Sequence, residues 1–178
     1  EIVLVDDRSP DGAWNIVNDL AAAHEEVVGL RLSRNFGQHA AITAGLAACC
    51  GDKVVVMDGD LQDPPELIPE LLDAAEKYDV VMTRRLSDFH GVFRQMLARA
   101  YFRLASAIGG NRIDPLVGGY ALLDRKVVDE FIRFGEQDRH FLFILRWLGF
   151  DQSFVDYERP IRPSGRSSYG LRRRMSLA

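Results

Sequence analysis

Cysteine is nearly absent. The 178 residues hold two, Cys49 and Cys50, adjacent in the chain. Neighbouring cysteines build no disulfide framework and lack the spacing of a zinc site. They read as small apolar residues kept reduced in a cytoplasm. No apolar run approaches the ~18 residues that a membrane span needs, and no signal-peptide pattern is seen. No Gly-x-Gly-x-x-Gly follows a strand pattern, which argues against a dinucleotide enzyme. Internal repeats and low-complexity segments are also missing. The chain opens at Glu1, inside a strand pattern and without an initiator methionine, so a fragment is expected.

Acid is missing from one stretch. After Glu158 come six arginines (159, 162, 166, 172, 173 and 174) and no Asp or Glu, although the whole chain carries a net charge of −4. The residues before that tail hold 16 basic and all 26 acidic side chains, a net −10. An acidic body with a basic tail argues against a nucleic-acid binder, whose footprint is a basic face. It suits a tail that meets anionic phosphates on a lipid or at a membrane surface. The rest of the composition, 47% hydrophobic and 27% charged, is that of a globular domain and excludes disorder. Residues 1–158 are expected to form one domain, and 159–178 a basic loop leading to an interfacial helix over Tyr169–Ala178.

Short apolar runs alternate with helical patterns. Strands are expected at Ile2–Val5, Val27–Leu32, Val54–Met57 and Val80–Thr83. Helices are expected over roughly 10–24, started by Ser9-Pro10, over Gly37–Cys50, and from Asp63-Pro64-Pro65-Glu66 to Lys77. This alternation predicts an α/β fold, a mainly parallel sheet flanked by helices. Further on, a long helix is expected over Phe89–Ile108, a strand over Tyr120–Leu123, helices near 125–134 and 138–148, and a strand near 153–157.

In open α/β sheets, ligands bind at the carboxyl ends of the strands. Two strand patterns end there in acids, at Asp6-Asp7 and at Asp58-Gly59-Asp60. Asp58 and Asp60, separated by glycine, can converge on one divalent cation while Gly59 lets a ligand approach. Asp63 is open to two readings, a cap for the next helix or a site residue. His140, at the start of a helix, reads more readily as a capping or surface residue than as an acid/base.

Three segments carry a resemblance: Val5-Asp6-Asp7-Arg8-Ser9-Pro10-Asp11-Gly12, Arg34-Asn35-Phe36-Gly37, and Asp58-Gly59-Asp60-Leu61-Gln62-Asp63-Pro64-Pro65-Glu66. The chain resembles family 2 glycosyltransferases of the polyprenyl-phosphate type, namely dolichol-phosphate mannose synthases and the bacterial enzymes acting on undecaprenyl phosphate. The likeness runs through Trp147-Leu148-Gly149-Phe150 and the tail Arg162–Tyr169. It implies a GT-A-like fold whose first strand lies upstream of Glu1. It implies a UDP- or GDP-linked nucleotide sugar as donor, Mg²⁺ or Mn²⁺, and a polyprenyl (undecaprenyl or dolichyl) phosphate as acceptor at the cytoplasmic face of the membrane. A homo-oligomer is left open, and nucleic acid is not an expected partner.

Matched position by position, the resemblance places Asp6, Asp7 and Arg34 at the donor, with Asp58 and Asp60 at its diphosphate and metal. Gln62 joins as an added metal ligand, and Asp60, Asp63 and Asp114 are the catalytic candidates. Arg85, Arg94, Arg162 and Ser167 fall on the acceptor phosphate, for which guanidinium groups are well suited. Some positions depart from the pattern. Ala98 and Ser168 replace an expected serine and lysine, and Gly118-Gly119-Tyr120-Ala121 stands where relatives have Gly-Asp-Phe-Arg. Asp114 is the nearest remaining acid, and a plain turn aspartate is its alternative. A phosphate acceptor, with a second pKa near ~6, needs little help to ionise. Two other readings stay open: a non-catalytic paralogue that binds nucleotide sugar or lipid phosphate, and a haloacid dehalogenase-type phosphohydrolase, which Leu61-Gln62 fits badly.

Overall fold

Valine-rich runs become strands and the alanine-rich run becomes a helix in the computed structural model, which describes residues 1–86, 114, 116–135 and 140–158. In chain order the elements are β1 (Ile2–Asp6), α1 (Ala13–Ala23), β2 (Val27–Arg31), α2 (Gln38–Ala48) and β3 (Lys53–Val56). A single 3₁₀ turn (Pro65–Leu67) leads into α3 (Ile68–Ala74), followed by β4 (Val80–Arg85). The last elements are β5 (Val117–Asp124), α4 (Arg125–Arg133), α5 (Phe141–Leu148) and β6 (Gln152–Tyr157). The expected helix over Phe89–Ile108 and the tail from Arg159 lie outside the described residues, as do Arg94, Arg162 and Ser167.

β1 and β2 pair in parallel, Ile2 opposite Val27 and Asp6 opposite Arg31. The other strands form a sheet in the order β3-β5-β4-β6. β6 runs parallel to β4, whereas β5 is antiparallel to both β3 and β4. The α/β architecture with flanking helices is the expected one; its pairing is mixed where the alternation predicts mainly parallel strands. The chain re-enters the sheet at the edge by which β4 leaves it, Arg85 N–H donating to Leu116 O at 3.0 Å. From that edge β5 can only run back.

The inner strands are buried on both faces, which explains their unbroken apolar sequence. Val80 and Met82 of β4, with Ala121 and Leu123 of β5, face Leu46 of α2, Val127, Val128 and Phe131 of α4, and Ile144 and Leu145 of α5. Val81, Tyr120 and Leu122 turn the other way, onto Leu71 of α3, Ala75 and Val155. Each fully buried side chain of this kind contributes roughly 1.5–3 kcal/mol. Truncating Phe131, which is 0% exposed, should therefore cost about 3–5 kcal/mol. α1 crosses β2 at Gly29, where a Cβ would stand 3.0 Å from Val17 Cγ1. Only glycine lets the helix come so near.

Three local expectations change. α1 begins at Ala13 behind Gly12, not at Pro10, because the Ser9 N–H is taken by the Asp6 carboxylate at 2.9 Å and Gly12 turns with φ 81°. Asp63 caps no helix: the N-cap position before the 3₁₀ turn is Pro64, with no side-chain cap. β5 is longer than Tyr120–Leu123 because pairing on both sides extends it to eight residues. By contrast, Asp124 does cap α4, accepting from Lys126 N–H at 3.1 Å. A hydrogen bond from Lys53 holds its carboxyl below the usual range.

Candidate active site

The acids of the two strand ends are joined by α2. Both oxygens of Asp7 are used at the start of that helix, Oδ1 accepting from Phe36 N–H and Oδ2 from Gly37 N–H, each at 2.7 Å. A carboxylate is favourable there because it meets unpaired N–H groups at the positive end of the helix dipole. Asn35 Nδ2 donates to Asp7 O at 3.0 Å, so the whole Asn35–Gly37 loop hangs on Asp7. Arg34 stacks over Phe36 at 4.3 Å from the ring centroid, and both are exposed. Asp6 is buried at 4% exposure; one oxygen accepts from Ser9. Its other oxygen lies 3.2 Å from Arg31 Nε, an ion-pair distance without hydrogen-bond alignment.

The loop then delivers Gln38, whose Nε2 donates to Asp58 Oδ1 at 2.6 Å. Asp58 is gripped from a second side, its N–H donating to Asp63 Oδ2 at 2.9 Å. Asp63 is 3% exposed and accepts through its other oxygen from Tyr157 Oη at 3.3 Å. Within this loop Asp60 Oδ1 accepts from Gln62 N–H at 3.1 Å. The turn forces Leu61 into the left-handed region at φ 62°, with 72% of its surface exposed. Among the described residues Arg8, φ 60°, is the other non-glycine residue held this way, and it follows Asp7 directly. Such backbone costs free energy and persists where the surroundings over-determine it.

Tyr120 braces the same loop from β5. Its hydroxyl donates to Pro64 O at 2.8 Å, and its ring meets Tyr157 edge-on at 6.2 Å. Burial, with Asp63 adding to it, pushes the Tyr120 hydroxyl up to about 12, so it stays a donor. Ala121 is fully buried between Val56 and Met82, whereas a Cβ at Gly119 would meet nothing within 4 Å.

One hydrogen bond thus ties Asp58 to Asp63 and another Asp60 to Gln62 within a single loop, and Arg85 sits at the carboxyl end of β4. Asp114 has a turn aspartate's bonds, Oδ1 accepting from Leu116 N–H at 3.0 Å and its carbonyl from Val117 N–H at 3.2 Å. Its charge is felt by Arg84, which the paired Asp156 and then Asp114 hold above the ordinary guanidinium value. His140 precedes α5 without capping it; it stacks on Phe143 and lies 4.3 Å from His39, centroid to centroid. Gln38, Tyr120 and Tyr157 escape sequence reasoning. Gln38 carried a signal in its position directly after Arg34-Asn35-Phe36-Gly37, and Tyr120 in its place within Gly118-Gly119-Tyr120-Ala121; Tyr157 carried none.

Among the described residues no group of three or more His, Cys, Asp or Glu side chains forms a metal cage. No helix among them is long and apolar enough to cross a membrane.

Residues 1–132 match the family model described as glycosyl transferase family 2. The chain is 36% identical over 182 residues to the uncharacterized glycosyltransferase YkcC of Bacillus subtilis, covering 100% of this chain and 56% of that protein. It is 34% identical over 171 residues to the bactoprenol glucosyl transferase of Shigella phage SfV, covering 95% of this chain and 56% of that one. The chain therefore spans about half the length of these curated relatives. Among solved structures, the glucosyl-3-phosphoglycerate synthase of Mycobacterium tuberculosis superposes with a TM-score of 0.54 at 20% identity, over 92% of this chain and 61% of that one. The 4-diphosphocytidyl-2C-methyl-D-erythritol synthase of Anaerococcus prevotii does so with a TM-score of 0.55 at 14% identity, over 94% and 73%. These two show the fold alone, a GT-A-like nucleotide-binding α/β fold. With its strand-end aspartates, its fold and a match across most of its length, the chain belongs to glycosyl transferase family 2.

Proposed function

We propose that the protein transfers a sugar, with inversion, from a UDP- or GDP-linked donor to a polyprenyl phosphate at the cytoplasmic face of a membrane. The observation that carries this reading is the locked Asp58–Asp63 loop, whose first carboxylate is aimed by Gln38 and whose backbone is held by Asp63. The bactoprenol name of one relative supports the acceptor class. The family match leaves no support for the phosphohydrolase alternative.

The donor set suits a hard divalent cation. Asp58, Asp60 and the amide of Gln62 offer oxygen ligands only, and Mg²⁺ is usually held by one or two carboxylates together with substrate phosphates. Bound there, Mg²⁺ or Mn²⁺ would neutralise charge on the departing diphosphate. In this reading Asp7 and Arg34 shape the donor loop, and Asp6 anchors the strand end beneath it. Arg85, with Arg94, Arg162 and Ser167 from outside the described residues, orients the lipid phosphate. One phosphate oxygen attacks the anomeric carbon as the bond from that carbon to the diphosphate oxygen breaks. The acceptor's second ionisation, near ~6, leaves it largely dianionic, so no side chain has to remove a proton. Asp114 is then free to serve its turn.

The test is a donor screen with UDP- and GDP-sugars, undecaprenyl phosphate and Mg²⁺, run on the intact protein in membranes. One donor should give sugar-linked lipid phosphate, and Asp60→Asn should abolish both turnover and metal-dependent nucleotide binding while the fold is retained. Near-normal metal-dependent activity in that variant would refute the site.

A further inference from the structure

Glycine weakens a strand interior, so Gly118, buried on β5, needs a reason. Conformation does not supply it. The glycines at positive φ among the described residues are Gly12, Gly37 and Gly149, and Gly118 is not one of them. Space does. A Cβ at Gly118 would lie 3.3 Å from Nη2 of Arg85, 3.8 Å from Nε and 3.9 Å from Cζ, so the guanidinium lies across the glycine. The strand register breaks at the same place: Met82 pairs with Ala121 but Arg84 with Val117, which leaves Gly118–Tyr120 bulged against Thr83. Thr83 Oγ1 fixes the bulge by donating to Tyr120 O at 2.9 Å. Bulges re-aim neighbouring side chains. Arg84 reaches Asp156 with two hydrogen bonds, while Arg85 lies back over β5. The Arg85 Nε is buried and has no hydrogen-bond partner among the described residues. A buried, unpaired guanidinium N–H is costly unless an anion comes to it.

We infer that Gly118 is a positioning residue, the seat that holds the Arg85 guanidinium against β5 with Nε–H ready for the acceptor's phosphate. The inference rests on the reading of Arg85 as an acceptor-phosphate residue and adds what sets its geometry. Gly118→Ala and Gly118→Val in the intact protein test it, each made alone and on an Arg85→Ala background. With Arg85 present, valine should raise KM for undecaprenyl phosphate roughly tenfold, the scale of one lost charge-assisted hydrogen bond. Alanine should raise it less, and KM for the nucleotide sugar should not move. On the Arg85→Ala background neither should have a further effect. An equal rise in both KM values, or the same rise with and without Arg85, overturns the seat. Melting temperatures give a readout independent of the acceptor: valine should lower them with Arg85 present and not without it. If Arg85→Ala leaves the acceptor KM unchanged, the acceptor reading of Arg85 falls. The seat is then decided by melting alone, and equal losses on both backgrounds reject it.

Discussion

Gln38 Nε2 lies 2.6 Å from Asp58 Oδ1, and this one bond ties the loop held by Asp7 to the end of β3. In the proposed reading Asp58 is a metal ligand, and groups that orient a ligating carboxylate typically matter about 10–100-fold in affinity or activity. Gln38→Ala should therefore lower kcat/KM for the nucleotide sugar by roughly tenfold with little loss of stability. Gln38→Glu, which sets a second carboxylate against Asp58, should do worse. Steady-state kinetics beside circular dichroism would check both, and wild-type rates in the glutamate variant would show that the bond is idle.

Asp63 is buried and serves two donors, Asp58 N–H and Tyr157 Oη. Asp63→Ala takes the acceptor away from both, and each buried group left unpaired costs ~1–3 kcal/mol. Tyr157→Phe removes the longer bond and should cost about 1 kcal/mol. Urea unfolding should rank the alanine variant as the more destabilised. The reverse order would mean that Asp63 is not the anchor of the loop.

Two glycines should respond in opposite ways to alanine. Gly37 has φ 100° and ψ 165°, a region open essentially to glycine alone, so Gly37→Ala should lose ~1–3 kcal/mol and disturb Gln38 next to it. Gly119 has room around its Cβ position and no positive φ, so Gly119→Ala should be neutral or gain up to about 1 kcal/mol. Denaturant midpoints of the two variants check the contrast.

Burial holds His39 below its ordinary value of 6.5, and His140 beside it adds to the effect; burial lowers His140 likewise. The unfolded chain then binds more protons than the folded one as pH falls through the ordinary imidazole range. The stability linked to these groups is complete above that range and lost as pH falls below it. Unfolding midpoints should decline from pH 7 to pH 5, and the decline should be shallower in the His39→Gln, His140→Gln double variant. An unchanged slope would show that the pair stays neutral without consequence.

The strands were readable where valine runs end in aspartate, because an unbroken apolar run closed by acids leaves a plain pattern. β1 and β3 lie within a residue or two of expectation. The helix starts were less readable. Ser9-Pro10 and Asp63-Pro64 both look like caps, yet the carboxylates of Asp6 and Asp63 are drawn to backbone N–H groups that no local pattern reveals. Asp58 and Asp60 were legible as a site; Gln38, Tyr120 and Tyr157 were not, because they reach the loop from 20 to 94 residues away in sequence. The bulge at Gly118–Tyr120 exists only against β4, so the sequence shows its glycines without their purpose.

The reversed central strand has a consequence for synthesis. β3 and β4 leave the ribosome before their shared partner, which begins only at Val117, and β6 follows later still. Until then both carry apolar, unpaired edges of the kind that invite intermolecular pairing. Sheet closure must therefore await late, long-range pairings, which slows folding. Nascent chains stalled before Val117 should engage chaperones, and those stalled after β6 has emerged should release them.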